Sequence, residues 1–146
     1  MADPDLSPFI LADKGLIADS LVELEQGRKR SHWMWFIFPQ ITGLVANPSA
    51  TTQRFALHDV DHARALLADT TLGSHLRACT DAVLGHPQRT AEEIFGAVDS
   101  AKFHACMTLF AAIDEPQSCF EQAIDVFFQG NPDPKTMQVV TTQGQS

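Results

Sequence analysis

The stretch Gly27-Arg28-Lys29-Arg30-Ser31-His32-Trp33-Met34-Trp35-Phe36-Ile37-Phe38-Pro39-Gln40 joins three consecutive cations to an aromatic, apolar run that ends at a proline. Ser31 has the side chain of an N-cap, and the run after it predicts a short helix from His32 to Phe38, stopped by Pro39. A helix that is apolar on every side must be packed on every side, so it belongs in the middle of a fold. Trp33 and Trp35 are two positions apart and therefore face different neighbours.

Upstream, Ile17, Leu21 and Leu24 recur at helical spacing, with Val22 widening the stripe. They predict a helix from Lys14 to Gln26, closed by Gly27. A separate short helix is expected over Leu6 to Ala12. Downstream, Thr42 to His58 reads as a loop punctuated by Gly43 and Asn47-Pro48-Ser49, with room for one helical turn around Gln53 to Leu57. Asp59 caps a helix to Ala68, and Leu72 to Leu84 forms the next. Thr90 and Glu93 make a capping box over Ala91 to Phe95.

Asp99 to Ile113 carries Phe103, Met107 and Phe110 on one stripe. Pro116 is expected to open a helix with Phe120, Ile124, Phe127 and Phe128 on its apolar face. Gly130 to Pro134 is a turn, and Lys135 to Val140 reads as a last helix or, on β-branched content, a strand. No segment alternates with period two. The expectation is an all-α fold, an irregular compact bundle of roughly seven short helices around the buried Trp-containing helix.

The chain has 146 residues, 45% of them hydrophobic, enough for one core without metal or disulfide staples. A single domain over 1–146 is expected, with an ordered core of about 5–140 and flexible ends at 1–4 and 141–146. Ten Phe and two Trp without any Tyr suggest aromatic residues that fill a core. The net charge of -8 disfavours polyanions and anionic membranes, so general nucleic-acid binding is not expected.

Cys79, Cys106 and Cys119 have neither disulfide nor zinc spacing and read as buried free thiols. The longest apolar run, Trp33 to Phe38, is far short of a membrane span. Met1 to Asp5 has no basic or apolar leader region, so a cytoplasmic location is expected. No cofactor is expected, and the chain is expected to be a monomer.

Arg28, Lys29 and Arg30 are three of only ten Lys and Arg residues. Their plain reading is complementing the C-terminal dipole of the preceding helix. Their functional reading is an anion seat. Backbone N–H groups after Ser31 and the guanidinium groups would hold a phosphate or carboxylate. His32, Trp33 and Gln40 would add a hydrogen bond, a stacking face and an edge contact.

Asp99 and Lys102, one helical turn apart, read as an ion pair, and Lys102 is also a candidate base or nucleophile if it faces a cleft. His58 and His62 have zinc-chelating spacing, but Asp59 is needed as a cap and no third ligand is evident, so no metal is expected. His75 and His104 read as satisfied or surface residues. No nucleophile elbow and no Gly-rich phosphate loop is present.

The Gly27–Gln40 block, with Gly43-Leu44 after it, resembles the signature of the domain of unknown function 1810 family. The likeness extends through Leu72-Gly73, Ile94-Phe95-Gly96, Asp99 with Lys102, Met107 to Phe110, and Phe127-Phe128 with Gly130. It covers most of residues 6–137. The resemblance implies a compact all-helical bacterial protein and no settled activity. This chain departs from the family pattern at His62, where an acidic residue is usual. It departs again at Ala105 and Cys106, where serine is usual, and near Phe55, where a tyrosine is usual. Chemistry resting on those groups is therefore not expected here.

Three functions compete. The leading one is binding of an anionic, phosphorylated or nucleotide-like small molecule by Arg28, Lys29, Arg30, His32, Trp33, Gln40 and Lys102. The second is hydrolysis of a nucleotide or ADP-ribose-like substrate, with His32, Asp99 and Lys102 as acid–base groups. The third is a protein-interaction module.

Overall fold

The computed structural model describes residues 5–44 and 47–144. Among them the chain forms nine helices and no strand: α1 Ser7–Glu25, α2 Met34–Ile37, α3 Ala50–Phe55, α4 Val60–Ala68, α5 Thr70–Leu84, α6 Ala91–Phe95, α7 Ala97–Ile113, α8 Cys119–Phe128 and α9 Pro134–Gly144. The all-α expectation holds. The expected flexible ends at 1–4 and 145–146 lie outside the described residues.

The two helices expected over 6–26 are one. Asp13 does not break α1, because its carboxylate is buried within the bundle and bound by His75 of α5. Gly27 ends α1 in the left-handed conformation, with φ 79°, as its spacing predicts.

The Trp-bearing helix is a single turn. Ser31 does not cap it. Its hydroxyl and N–H are bound to Glu23, and helical geometry begins at Met34 with Trp33 as the N-cap residue. The bulk of the core is carried by α7, from Phe103 to Phe110, with α8, α6 and α9 packed on it. Helix α5 bridges α1 to α4 and α8.

Part of the expected loop over 42–58 is α3, opened by Ser49, whose side chain accepts the Thr52 N–H. Helix α8 begins at Cys119, three residues after Pro116, because Gln117 is left-handed at φ 67° and Ser118 supplies the cap. Helix α9 settles the helix-or-strand alternative. Asp133 takes the Thr136 N–H at 3.0 Å, and α9 packs on α7 and α4. Near its end, Gln143 Oε1 accepts the Val60 N–H at 2.8 Å.

Gly73 permits the α4–α5 corner. A Cβ there would lie 2.1 Å from the Leu67 carbonyl oxygen. No helix among the described residues is long and apolar enough to cross a membrane. Cys79 and Cys106 are buried and Cys119 half-buried, all free. Burial pushes the Cys79 thiol up to about 12, Cys119 to about 11, and Cys106 well above its ordinary value. Burial thus favours the neutral thiol at all three positions.

Candidate functional site

The loop after α1 is built around one carboxylate. Glu23, in the last turn of α1, is 8% exposed. Its Oε1 accepts the backbone N–H groups of Arg30 and Ser31 and the indole Nε1–H of Trp33, the last at 3.1 Å. Its Oε2 accepts the Ser31 hydroxyl at 2.7 Å. Burial raises the pKa of this carboxyl, but the donors outweigh it and hold it below its ordinary value. The Arg30 and Ser31 amides of this loop are therefore occupied by the chain's own carboxylate. Arg28, Arg30 and His32 are exposed around it. Trp33 is fully buried and offers no stacking face to a ligand.

Lys29 turns the other way. Its N–H donates to the Ile94 carbonyl at 2.7 Å. Its side chain, 10% exposed, places Nζ 2.8 Å from Asp99 Oδ2 and 5.2 Å from the Trp33 ring centroid. The other Asp99 oxygen lies 3.6 Å from Lys102 Nζ, which stands 4.8 Å from the ring centroid of Trp35. The result is a continuous series of ring, cation, carboxylate, cation and ring. The expected Asp99–Lys102 pair is present, but Lys29 is the nearer partner of that carboxylate.

The far end of the series opens into a cleft with an interior volume of ≈ 90 Å³ that widens into open solvent. Trp35, Phe38 and Gln40 form one wall, Lys102 sits at its edge, and residues 41–44 with Pro48, Thr52, Gln53 and Phe55 form the opposite side. Leu57 ties these segments together by backbone bonds, its N–H donating to Gln40 O at 2.9 Å and its carbonyl accepting the Thr42 N–H at 2.8 Å. Helix α3 is seated by Phe55, whose ring lies 5.5 Å from Phe36 and 5.8 Å from Phe9.

Of the residues singled out from sequence, Gln40 and Lys102 line this cleft and Asp99 touches Lys102 from behind. Arg28, Lys29, Arg30, His32 and Trp33 do not line it. Sequence reading missed Trp35 as a cleft wall and missed Glu23 altogether. The signal for Glu23 was a carboxylate in the last turn of a helix, where the macrodipole disfavours it unless donors compensate.

Two other constellations are accounted for locally. His62 accepts the His58 N–H at Nδ1 (3.0 Å), and its Nε2 lies 2.9 Å from the Asp5 carbonyl. Both ring nitrogens are used, with the proton on Nε2, so His62 is not free to bind a metal. No group of three potential metal-ligating side chains occurs among the described residues. Asp13 and His75 meet at 2.6 Å beside a smaller hollow lined by Phe36, Ile37 and Leu72. Burial pushes the Asp13 carboxyl up against the pull of His75.

A search of curated proteins finds no match. Among solved structures, the chain is similar to the conserved hypothetical protein Rv1873 from Mycobacterium tuberculosis. The two share 34% sequence identity, with 96% of this chain and 99% of that chain covered and a TM-score of 0.90. The profile of a family described as "Protein of unknown function (DUF1810)" matches residues 3–140. With nearly the whole fold accounted for by that match, the chain belongs to the DUF1810 family.

Proposed function

We propose that the cleft between Trp35 and Phe55 binds a small planar molecule carrying an anionic group, of the kind a nucleotide presents. The observation that carries this reading is Lys102, whose ammonium group stands at the cleft edge over the Trp35 ring. Ligand sites are concave, largely apolar, and carry few polar groups placed to orient the guest. This cleft fits that pattern: aromatic walls, one cation, and the amides of Gln40 and Gln53 for edge hydrogen bonds. Ring faces tolerate any base, and the cation selects for charge.

In this reading Arg28 and Arg30, which do not line the cleft, do not touch the ligand. Those two guanidinium groups would contribute at most to the field that draws an anion in. His32 does not line the cleft, so it is not an acid–base group for a ligand held there.

Titration calorimetry with AMP against adenosine tests the reading. Tighter binding of AMP by wild type, with the preference abolished in Lys102→Met, is the expected result. Equal or absent binding of both would overturn it.

A further inference from the structure

We infer that Lys29, which lies outside the cleft, sets the cleft's charge by keeping Asp99 occupied. The inference rests on the ligand reading above. Asp99 is the only carboxylate paired with Lys102 among the described residues. If it closed on Lys102, the ammonium charge would be cancelled where a ligand needs it.

The distances show which way the carboxylate leans. Lys29 holds Oδ2 at 2.8 Å, whereas Lys102 stands 3.6 Å from Oδ1. The Lys29 contact is also the more sheltered, at 10% exposure against 28% for Lys102, and sheltered pairs are less screened. Two cations share one carboxylate, so the group keeps one net positive charge. The cation left over is the one at the cleft edge.

Lys29 is held to this task from three sides. Its N–H is bound to Ile94 O, its ammonium lies by the Trp33 ring, and its loop is fastened through Arg30 and Ser31 to Glu23. It is a positioning residue. It touches no ligand and acts through Asp99.

The consequence is a specific pattern of loss and rescue. In Lys29→Met the carboxylate has only Lys102 to pair with, and the cleft loses its preference for an anion. Removing the carboxylate charge as well, in Lys29→Met/Asp99→Asn, frees Lys102 again. A merely structural role for Lys29 predicts no rescue, because the double variant has lost more contacts than the single one.

The experiment is calorimetry of AMP and adenosine on wild type, Lys29→Met, Lys29→Arg and the double variant, with a melting curve for each. Loss of AMP affinity in Lys29→Met by about tenfold is expected, with adenosine unchanged. Lys29→Arg and the double variant should keep the AMP preference. AMP preference retained in Lys29→Met, or not restored in the double variant, would overturn the inference while leaving the cleft reading intact. Wild-type protein that does not distinguish AMP from adenosine would overturn both.

Discussion

Glu23 and Trp33 are joined by a hydrogen bond of 3.1 Å from the indole Nε1–H to Oε1, and neither side chain is free to do anything else. The same carboxylate gathers two backbone N–H groups and the Ser31 hydroxyl. The Arg30 and Ser31 amides of the basic loop are thus satisfied from within, and the same loop carries Lys29 to Asp99.

Removing that carboxylate leaves several sheltered donors unpaired. Glu23→Ala should cost about 3 kcal/mol, because each orphaned donor carries a desolvation penalty that water repays only in part. Urea unfolding measures it. A change within about 0.5 kcal/mol, the range of ordinary surface substitutions, would contradict the arrangement.

The pH dependence has a defined sign. Glu23 has a folded pKa below its unfolded value of 4.5, so between the two the unfolded chain binds more protons and stability rises with pH. Its contribution is fully present above the unfolded value and is lost as pH falls through the folded one. The stability gap between wild type and Glu23→Gln should therefore narrow on acidification below about pH 4.5. Asp13 acts in the opposite direction. Burial raises its pKa from 3.8, so its contribution is fully present below that value and lost as pH rises through the folded one. A gap that widens in acid for Glu23→Gln would contradict the assignment.

The two tryptophans separate fold from site. Trp33 is fully buried, and Trp33→Ala should cost about 3–5 kcal/mol and broaden or abolish the cooperative transition. Trp35 is half-buried against the cleft, so Trp35→Ala should cost markedly less in a melting curve while removing ligand binding.

Two glycines should answer oppositely to alanine. Gly73→Ala drives a Cβ into the Leu67 carbonyl at 2.1 Å, a backbone clash that should destabilise by about 2 kcal/mol or more. Gly15 sits in mid-α1, where an added Cβ would meet nothing within 4 Å, and Gly15→Ala should stabilise by up to about 1 kcal/mol. Thermal unfolding of both variants checks the signs.

The fold was legible where a local signal agreed with burial. The Thr90–Glu93 capping box, the Asp59 cap and the Gly27 terminus all stand where their residue types predict. Legibility failed where a distant partner decided the outcome. Asp13 continues a helix because His75 binds it, and Ser31 does not cap because Glu23 takes its hydrogen bonds. The site was half legible for the same reason. Gln40 and Lys102 carry polar side chains on apolar elements and drew notice. The second side, residues 42–44 with Pro48, Thr52, Gln53 and Phe55, reads as loop from sequence and meets Gln40 through the Leu57 backbone bonds.

The most direct test follows the two indole N–H resonances of the labelled protein during titration with AMP. Trp33 is locked to Glu23 and Trp35 borders the cleft, so the account predicts a saturable shift of the Trp35 resonance with Trp33 unmoved. Movement of Trp33 with Trp35 still would place the guest at the basic loop and contradict it.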